Sequence, residues 1–344
     1  MGHINISKAK VVSIMVRKIS EIKDILKDHS NMDENSKDIV LFNIMSGSCS
    51  RNCPNCYDRH VKKEVMQPDV FENYLTLVEA ASEISGSNVS PRISTIASKI
   101  IEYPYLREYL DSIVKHKLVT SVYASDLGTA QLMHPAIDLI YFHITNSVSD
   151  IIYTFRGLES AGKRMDLRFN FSADKSFKEQ TDIIYNFIET IGNDSYLLRY
   201  SVSSKTLNEE SLHFTPDNFE HSKNEFFGHL EKLSLTYPNL KFRAERPFFK
   251  CIFTQDEIRE YSAKFGLTFD CVMEFTVTPN GSCGLCPPVM QFTNSNSIPH
   301  SIKEFIDELA RVKELYKKLC LRPSFDRCKK CTDKCQGGCL SYKF

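Results

Sequence analysis

The chain has 344 residues, room for two ordinary domains or for one large α/β domain with an appendage. Hydrophobic residues make up 42% and charged residues 25%, which supplies a core and excludes a disordered tail. Lys and Arg (43) balance Asp and Glu (43), so the chain-wide basic footprint of a nucleic-acid binder is absent, and no apolar run reaches the ~18–20 residues of a transmembrane helix. The start, MGHINISKAKVV, has no signal-peptide apolar core, and Ile6 stands where myristoylation wants Ser or Thr. The expected location is the cytoplasm, with neither nucleic acid nor membrane as a partner.

Residues 1–37 are polar, with Ile19, Ile22, Ile25 and Leu26 on one helical face, and read as an N-terminal helical cap. From residue 38 the apolar run IVLFNIM reads as a buried strand of the parallel kind, bounded by Gly47. A helix over Pro68–Ile84 precedes a strand at RISTIA (92–97), and a helix over Leu106–His116 precedes one at LVTSVYA (118–124). The strand DLIYFHIT (138–145), a helix near Ile151–Ala161 and the strand DLRFNF (166–171) follow. The helix Ser176–Ile191 carries a capping box (Ser176, Glu179), an apolar face of Ile183, Ile184, Phe187, Ile188 and Ile191, and a terminating Gly192. YLLRYSV (196–202) is the sixth strand, and six strands alternating with helices predict a parallel α/β sheet or open barrel. The polar stretch 205–225 reads as an excursion or linker, so the barrel is expected over 38–240 and a second domain over 241–344. In that domain one helix is clear at 301–319, with Ser301 and Glu304 as capping box and Ile302, Phe305, Ile306, Leu309, Val312 and Tyr316 as its buried stripe.

Twelve cysteines in a chain with no export signal point to metal or redox chemistry rather than to disulfides. They cluster: Cys49, Cys53 and Cys56 lie early, none follows until Cys251, and eight fall between Cys271 and Cys339. Cys49-x3-Cys53-x2-Cys56 sits directly after the first strand. Three thiolates there suit three corners of a 4Fe–4S cluster whose fourth iron stays open, the requirement for a catalytic cluster. A three-cysteine zinc site with a missing partner, or an accidental group of thiols, is the alternative.

With the aromatic Tyr57, this run resembles the radical S-adenosylmethionine superfamily, whose CxxxCxxC signature follows the first strand of a partial (β/α)6 TIM-like barrel. The resemblance implies that the open iron binds S-adenosylmethionine, that a 5′-deoxyadenosyl radical abstracts a substrate hydrogen, and that an external electron donor is needed. It also implies that Tyr57 lines the adenine side. The family commonly carries a GGE-type motif after the second strand, and here Ala97, Ser98 and Lys99 stand in its place. The fourth strand end offers His143, Thr145, Asn146 and Ser147 to the cofactor, and the fifth offers Arg168 and Asn170; each is equally an ordinary polar residue at a strand end.

The second region, Cys271-x9-Gly281-x4-Cys286 with Cys283 inside, then Cys320, then Cys328-x2-Cys331-x3-Cys335-x3-Cys339, demands at least one metal centre, with zinc as runner-up to iron. It looks like the Cys-rich α+β SPASM domain that follows the barrel in many radical S-adenosylmethionine enzymes, with two residues missing between Cys331 and Cys335 and no closing cysteine. By that family's interleaved arrangement Cys271, Cys286 and Cys339 hold an inner auxiliary 4Fe–4S cluster, and Cys328, Cys331 and Cys335 hold an outer one. Counting to eight adds Cys283 to the first and Cys320 to the second; one complete and one incomplete cluster is the alternative. Residues 311–344 carry ten Lys and Arg against three Asp and Glu, read as compensation for anionic thiolate clusters. Cys251, in FFKCIF, is left over: a hydrogen-atom donor on one reading, an inert core thiol on the other.

Auxiliary clusters suit oxidation, crosslinking or epimerisation of a ribosomal peptide, the leading expectation. A separate leader-binding protein is then expected, because the 37 residues before the first strand are too few for a winged-helix module. Pro287 after the Gly-x4-Cys cysteine disfavours sulfatase maturation. Radical oxidation or rearrangement of a sugar or amino acid, or a degenerate cluster protein that does not cleave the cofactor, are the alternatives.

Overall fold

The computed structural model describes residues 41–46, 65–85, 90–95, 105–124, 132–144, 148–203, 213–271, 273–286, 289–295, 297–331 and 337–344. The expected N-terminal cap lies outside these residues, as do Cys49, Cys53, Cys56, Tyr57, Ala97, Ser98, Lys99, Thr145, Asn146, Ser147 and Cys335.

Among the described residues the sheet has nine strands: β1 (Leu41–Ser46), β2 (Ser90–Thr95), β3 (Thr120–Ala124), β4 (Ile137–His143), β5 (Arg164–Phe171), β6 (Leu197–Val202), β7 (Lys241–Ala244), β8 (Phe275–Val277) and β9 (Cys283–Gly284). Their order is β7-β6-β5-β4-β3-β2-β1-β8-β9, every neighbouring pair is parallel except β8–β9, and the two ends do not meet. This is the expected α/β sheet of an open barrel. The helices are α1 (Pro68–Ser85), α2 (Leu106–Lys115), α3 (Val148–Ser160), α4 (Phe177–Ile191), α5 (Pro216–Thr236), α6 (Gln255–Phe265), the single turn α7 (Met290–Thr293) and α8 (Ile302–Leu321).

Strand register explains the core. Ile140, Phe142, Leu167, Phe169, Phe171, Leu198 and Tyr200 share one face and are buried under the helices. Phe142 meets Phe155 of α3 at 5.1 Å between ring centroids, and Phe171 meets Phe226 of α5 at 5.0 Å. Phe226 in turn touches Phe177, Phe219, Phe227 and Phe248, so one aromatic cluster ties β5, α4 and α5 to the segment after β7.

Three sequence expectations change. The stretch 205–225 is no simple linker: Thr215 caps α5 through a reciprocal box with Asn218, Pro216 opens the helix, and Phe219, Phe226, Phe227, Leu230 and Leu233 are buried. The surrounding Asp, Asn, Glu, His and Lys residues hide that stripe from a composition-based reading. The sheet also continues past residue 240, because β7 pairs with β6 and Glu245 N donates to Tyr200 O (2.8 Å). Finally, the box at α8 is split: Ser301 Oγ accepts from Glu304 N (3.3 Å), but Glu304 Oε2 accepts from His300 N (2.8 Å). The box at α4 forms as expected, and Gly192 ends that helix at φ 71°.

Candidate functional site

Because β1 to β8 run parallel, their C-terminal ends share one edge: Ser46 is level with Thr95, Ile44 with Val277, His143 with Arg168, and Phe171 with Val202. The residues that follow β1, β2 and β4 in the sequence are Cys49 to Cys56, Ala97 to Lys99, and Thr145 to Ser147. Parallel α/β folds place ligand chemistry at this edge, beyond the carboxyl ends of the strands.

The sheet face away from the helices is polar on β4 to β7. Tyr141, Asp166 and Arg199 form one set: Arg199 Nε lies 2.6 Å from Asp166 Oδ2, and its guanidinium sits 5.2 Å from the Tyr141 ring centroid. Nearer the C-terminal edge Arg168 pairs with Glu245, their side chains 16% and 12% exposed. Ser201 Oγ donates to Asn170 Oδ1. The structure places Arg168 and Asn170 on a common face and gives both protein partners. His143 is half-buried and level with Arg168. Asp166, Arg199 and Glu245 were missed from the sequence. Asp166 falls on the same two-residue period as Arg168, a signal that could have found it, whereas Arg199 reaches that face through the β5–β6 register.

The second region gathers beyond β8. The hairpin β8–β9 turns at Gly281, whose φ of 81° and contacts (a Cβ would meet Ile298 Cδ1 at 3.0 Å) require glycine, which accounts for the Gly of Gly-x4-Cys. Gly338 is constrained likewise, at φ 88° with a Cβ position 2.7 Å from Phe249 Cε1. Phe249, Phe325 and Tyr342 pack together at 5.2–5.6 Å and hold the last residues against the turn Lys250–Ile252. Tyr342 Oη donates to Phe214 O.

Here the cysteines sort themselves. Cys271, Cys286 and Cys339 lie close enough to feel one another's charge. Burial pushes the Cys271 and Cys286 thiols well up; Cys339 adds to this at both, Cys320 at Cys271, and Arg246 opposes it at Cys286. Cys283 stands apart, on the helix-facing side. Tyr74 Oη of α1 lies 2.7 Å from Cys283 Sγ and 2.7 Å from Gly281 O, and Arg311 Nη2 donates to Cys283 O (3.1 Å). Burial pushes this thiol up to about 12, the Tyr74 hydrogen bond and Arg311 opposing it and Glu308 adding to it. Pairing with Val277 in the β8–β9 ladder aims the Cys283 side chain at α1 and α8.

Cys320 is half-buried near the end of α8, bonded to Tyr316, which itself donates to Cys271 O. Cys251 is exposed, although Phe248, Phe249 and Phe253 around it are buried. The core-thiol reading of Cys251 thus fails, because the tight turn Lys250–Ile252 sends its side chain outward while the phenylalanines pack inward. Among the described residues no three His, Cys, Asp or Glu side chains sit at the spacing of ligands on one metal ion. Tetrahedral zinc draws its sulfurs within about 3.8 Å of one another. A 4Fe–4S cluster spreads its four thiolates wider.

No family model and no curated protein matches the chain. Solved structures do match its fold. Streptococcus suis SuiB bound to S-adenosylmethionine is 13% identical, with 98% of this chain and 78% of that one covered and a TM-score of 0.59. The same protein bound to precursor peptide SuiA aligns at 12% identity, covering 99% and 78%, with a TM-score of 0.59. The structure of anSMEcpe with bound AdoMet and Cp18Cys peptide aligns at 12% identity, covering 88% and 89%, with a TM-score of 0.60. The chain therefore has the fold implied by its resemblance to radical S-adenosylmethionine enzymes: a partial TIM-like barrel followed by a cysteine-rich C-terminal domain. Among the described residues no helix is long and apolar enough to cross a membrane.

Proposed function

We propose that this chain is a radical S-adenosylmethionine enzyme of the cytoplasm that oxidises, crosslinks or epimerises a side chain or backbone of a ribosomal peptide. The observation that carries the reading is the parallel register, which brings the strand end preceding Cys49, Cys53 and Cys56 to the same edge as His143, Arg168 and Asn170. Fold neighbours solved with S-adenosylmethionine and with peptides support the cofactor and the substrate class.

On this reading Cys49, Cys53 and Cys56 hold one 4Fe–4S cluster, and Tyr57, Thr145, Ser147, Arg168 and Asn170 border S-adenosylmethionine. Cluster and cofactor together supply a 5′-deoxyadenosyl radical for hydrogen abstraction. The chain's own contribution is placement. Glu245 holds the Arg168 guanidinium on the polar face, and the Asp166–Arg199–Tyr141 set supports it from below. Cys271, Cys286 and Cys339 hold an inner auxiliary cluster, and Cys328, Cys331 and Cys335 belong to an outer one. An external reductant completes the system. Ala97, Ser98 and Lys99, where a GGE-type motif would supply a carboxylate, favour one competing reading: a cluster protein that does not cleave the cofactor.

Anaerobic assay of 5′-deoxyadenosine separates the two. Dithionite-reduced, iron-reconstituted protein is expected to release it from S-adenosylmethionine, and the Cys49→Ala/Cys53→Ala/Cys56→Ala variant is expected to release none. Absence of product from iron-loaded wild type, with candidate peptides present, would overturn the proposal in favour of the cofactor-inert reading.

A further inference from the structure

The C-terminal region holds a cavity of about 300 Å³. It is lined by Cys251, Cys320, Cys328 and Cys331, four thiols from three separate segments. Its volume equals that of about ten water molecules in the liquid, room for a cubane core. Its walls are also cationic. Arg322, Arg327 and Lys343 line it, and Arg327 lies close enough to Cys251 for their charges to interact. Arg327 is anchored from behind by Asp217 (3.1 Å) and Glu220 (3.2 Å) of α5. Positive groups of this kind offset the net negative charge of a cluster held by four thiolates.

We propose that Cys251, which shares this cavity with Cys328 and Cys331, is a ligand of the outer iron–sulfur cluster. This rests on the reading that auxiliary clusters are present. Cys251 is then a structural ligand and not a hydrogen-atom donor.

Iron counting tests this without reference to turnover. The parent is the Cys49→Ala/Cys53→Ala/Cys56→Ala chain, in which iron enters only the auxiliary sites; it is expected to take up about eight iron and eight sulfide per chain. Adding Cys251→Ala is expected either to remove about four irons or to yield the electron paramagnetic resonance signal of an oxidised three-iron cluster. Adding Cys283→Ala is expected to leave count and spectrum unchanged. Retention of all eight irons and the parent spectrum in the Cys251→Ala chain would overturn the assignment. A parent that binds no iron would overturn the auxiliary-cluster reading itself, a distinguishable failure. A measurement without substitution runs beside these: iodoacetamide followed by peptide mass mapping. Cys251 is expected to be alkylated in the iron-free chain and protected in the loaded one, and equal labelling in both would count against ligation.

Discussion

At the scale of single residues, the polar sheet face is set by pairs that are costly to break. Arg168 and Glu245 are mostly withdrawn from water, so each depends on the other to offset its desolvation. Replacing Glu245 by Ala is expected to lower stability by about 3 kcal/mol, read as the urea midpoint, because the Arg168 charge is left without its carboxylate. The double replacement Arg168→Met/Glu245→Leu should recover most of that loss. A double variant as unstable as the single one would show that the pair is not what stabilises this edge. The sequence announced Arg168 as a strand-end residue but not its partner, since Glu245 is distant along the chain and reaches it through the β5–β6–β7 register. Cys283 teaches the same lesson in reverse. It sits three positions from Cys286, yet the ladder turns it towards Tyr74.

Among elements, α1 and α2 are joined by a small charged cluster. Glu72 accepts from Lys115 and lies 3.1 Å from His116 Nε2, while His116 Nδ1 lies 2.6 Å from Glu79. Burial pushes the Glu72 carboxyl up, but hydrogen bonds from Lys115, His116 and Ser112 outweigh it and hold it at about 2, below its ordinary 4.5. A carboxylate depressed on folding contributes stability that is complete above pH 4.5 and is lost as pH falls from there towards 2. The urea midpoint is therefore expected to fall through this acid window, and to fall less steeply in a Glu72→Gln variant. Equal slopes would remove Glu72 from the acid response. Helix periodicity was legible wherever the apolar stripe was dense, as in α4 and α8. It was not legible in α5, whose stripe is diluted by charged residues and whose helical state depends on burial beneath Phe171, Phe177 and Phe248.

At the scale of the whole molecule, the barrel and the cysteine-rich segment share one core. Phe226 is fully buried and touches rings from β5, β6, α4 and the segment after β7. Phe226→Ala is expected to cost about 3–5 kcal/mol and to shift the unfolding of both regions together. Two separate transitions by circular dichroism and by cysteine accessibility would show that the regions are independent.

The sequence by itself determined the thiol-rich spacing after the first strand, the second cysteine region, the parallel alternation and the glycine of the Gly-x4-Cys turn. All of these are local, written in spacing and in hydrophobic period. Only the tertiary structure shows which of the described cysteines meet. Cys251, Cys320 and Cys328 are far apart in the chain and meet around one cavity, whereas Cys283 and Cys286 are neighbours that part. The physical reason is directional: strand register and helix packing choose the face each side chain takes, and a count of cysteines holds no information about faces.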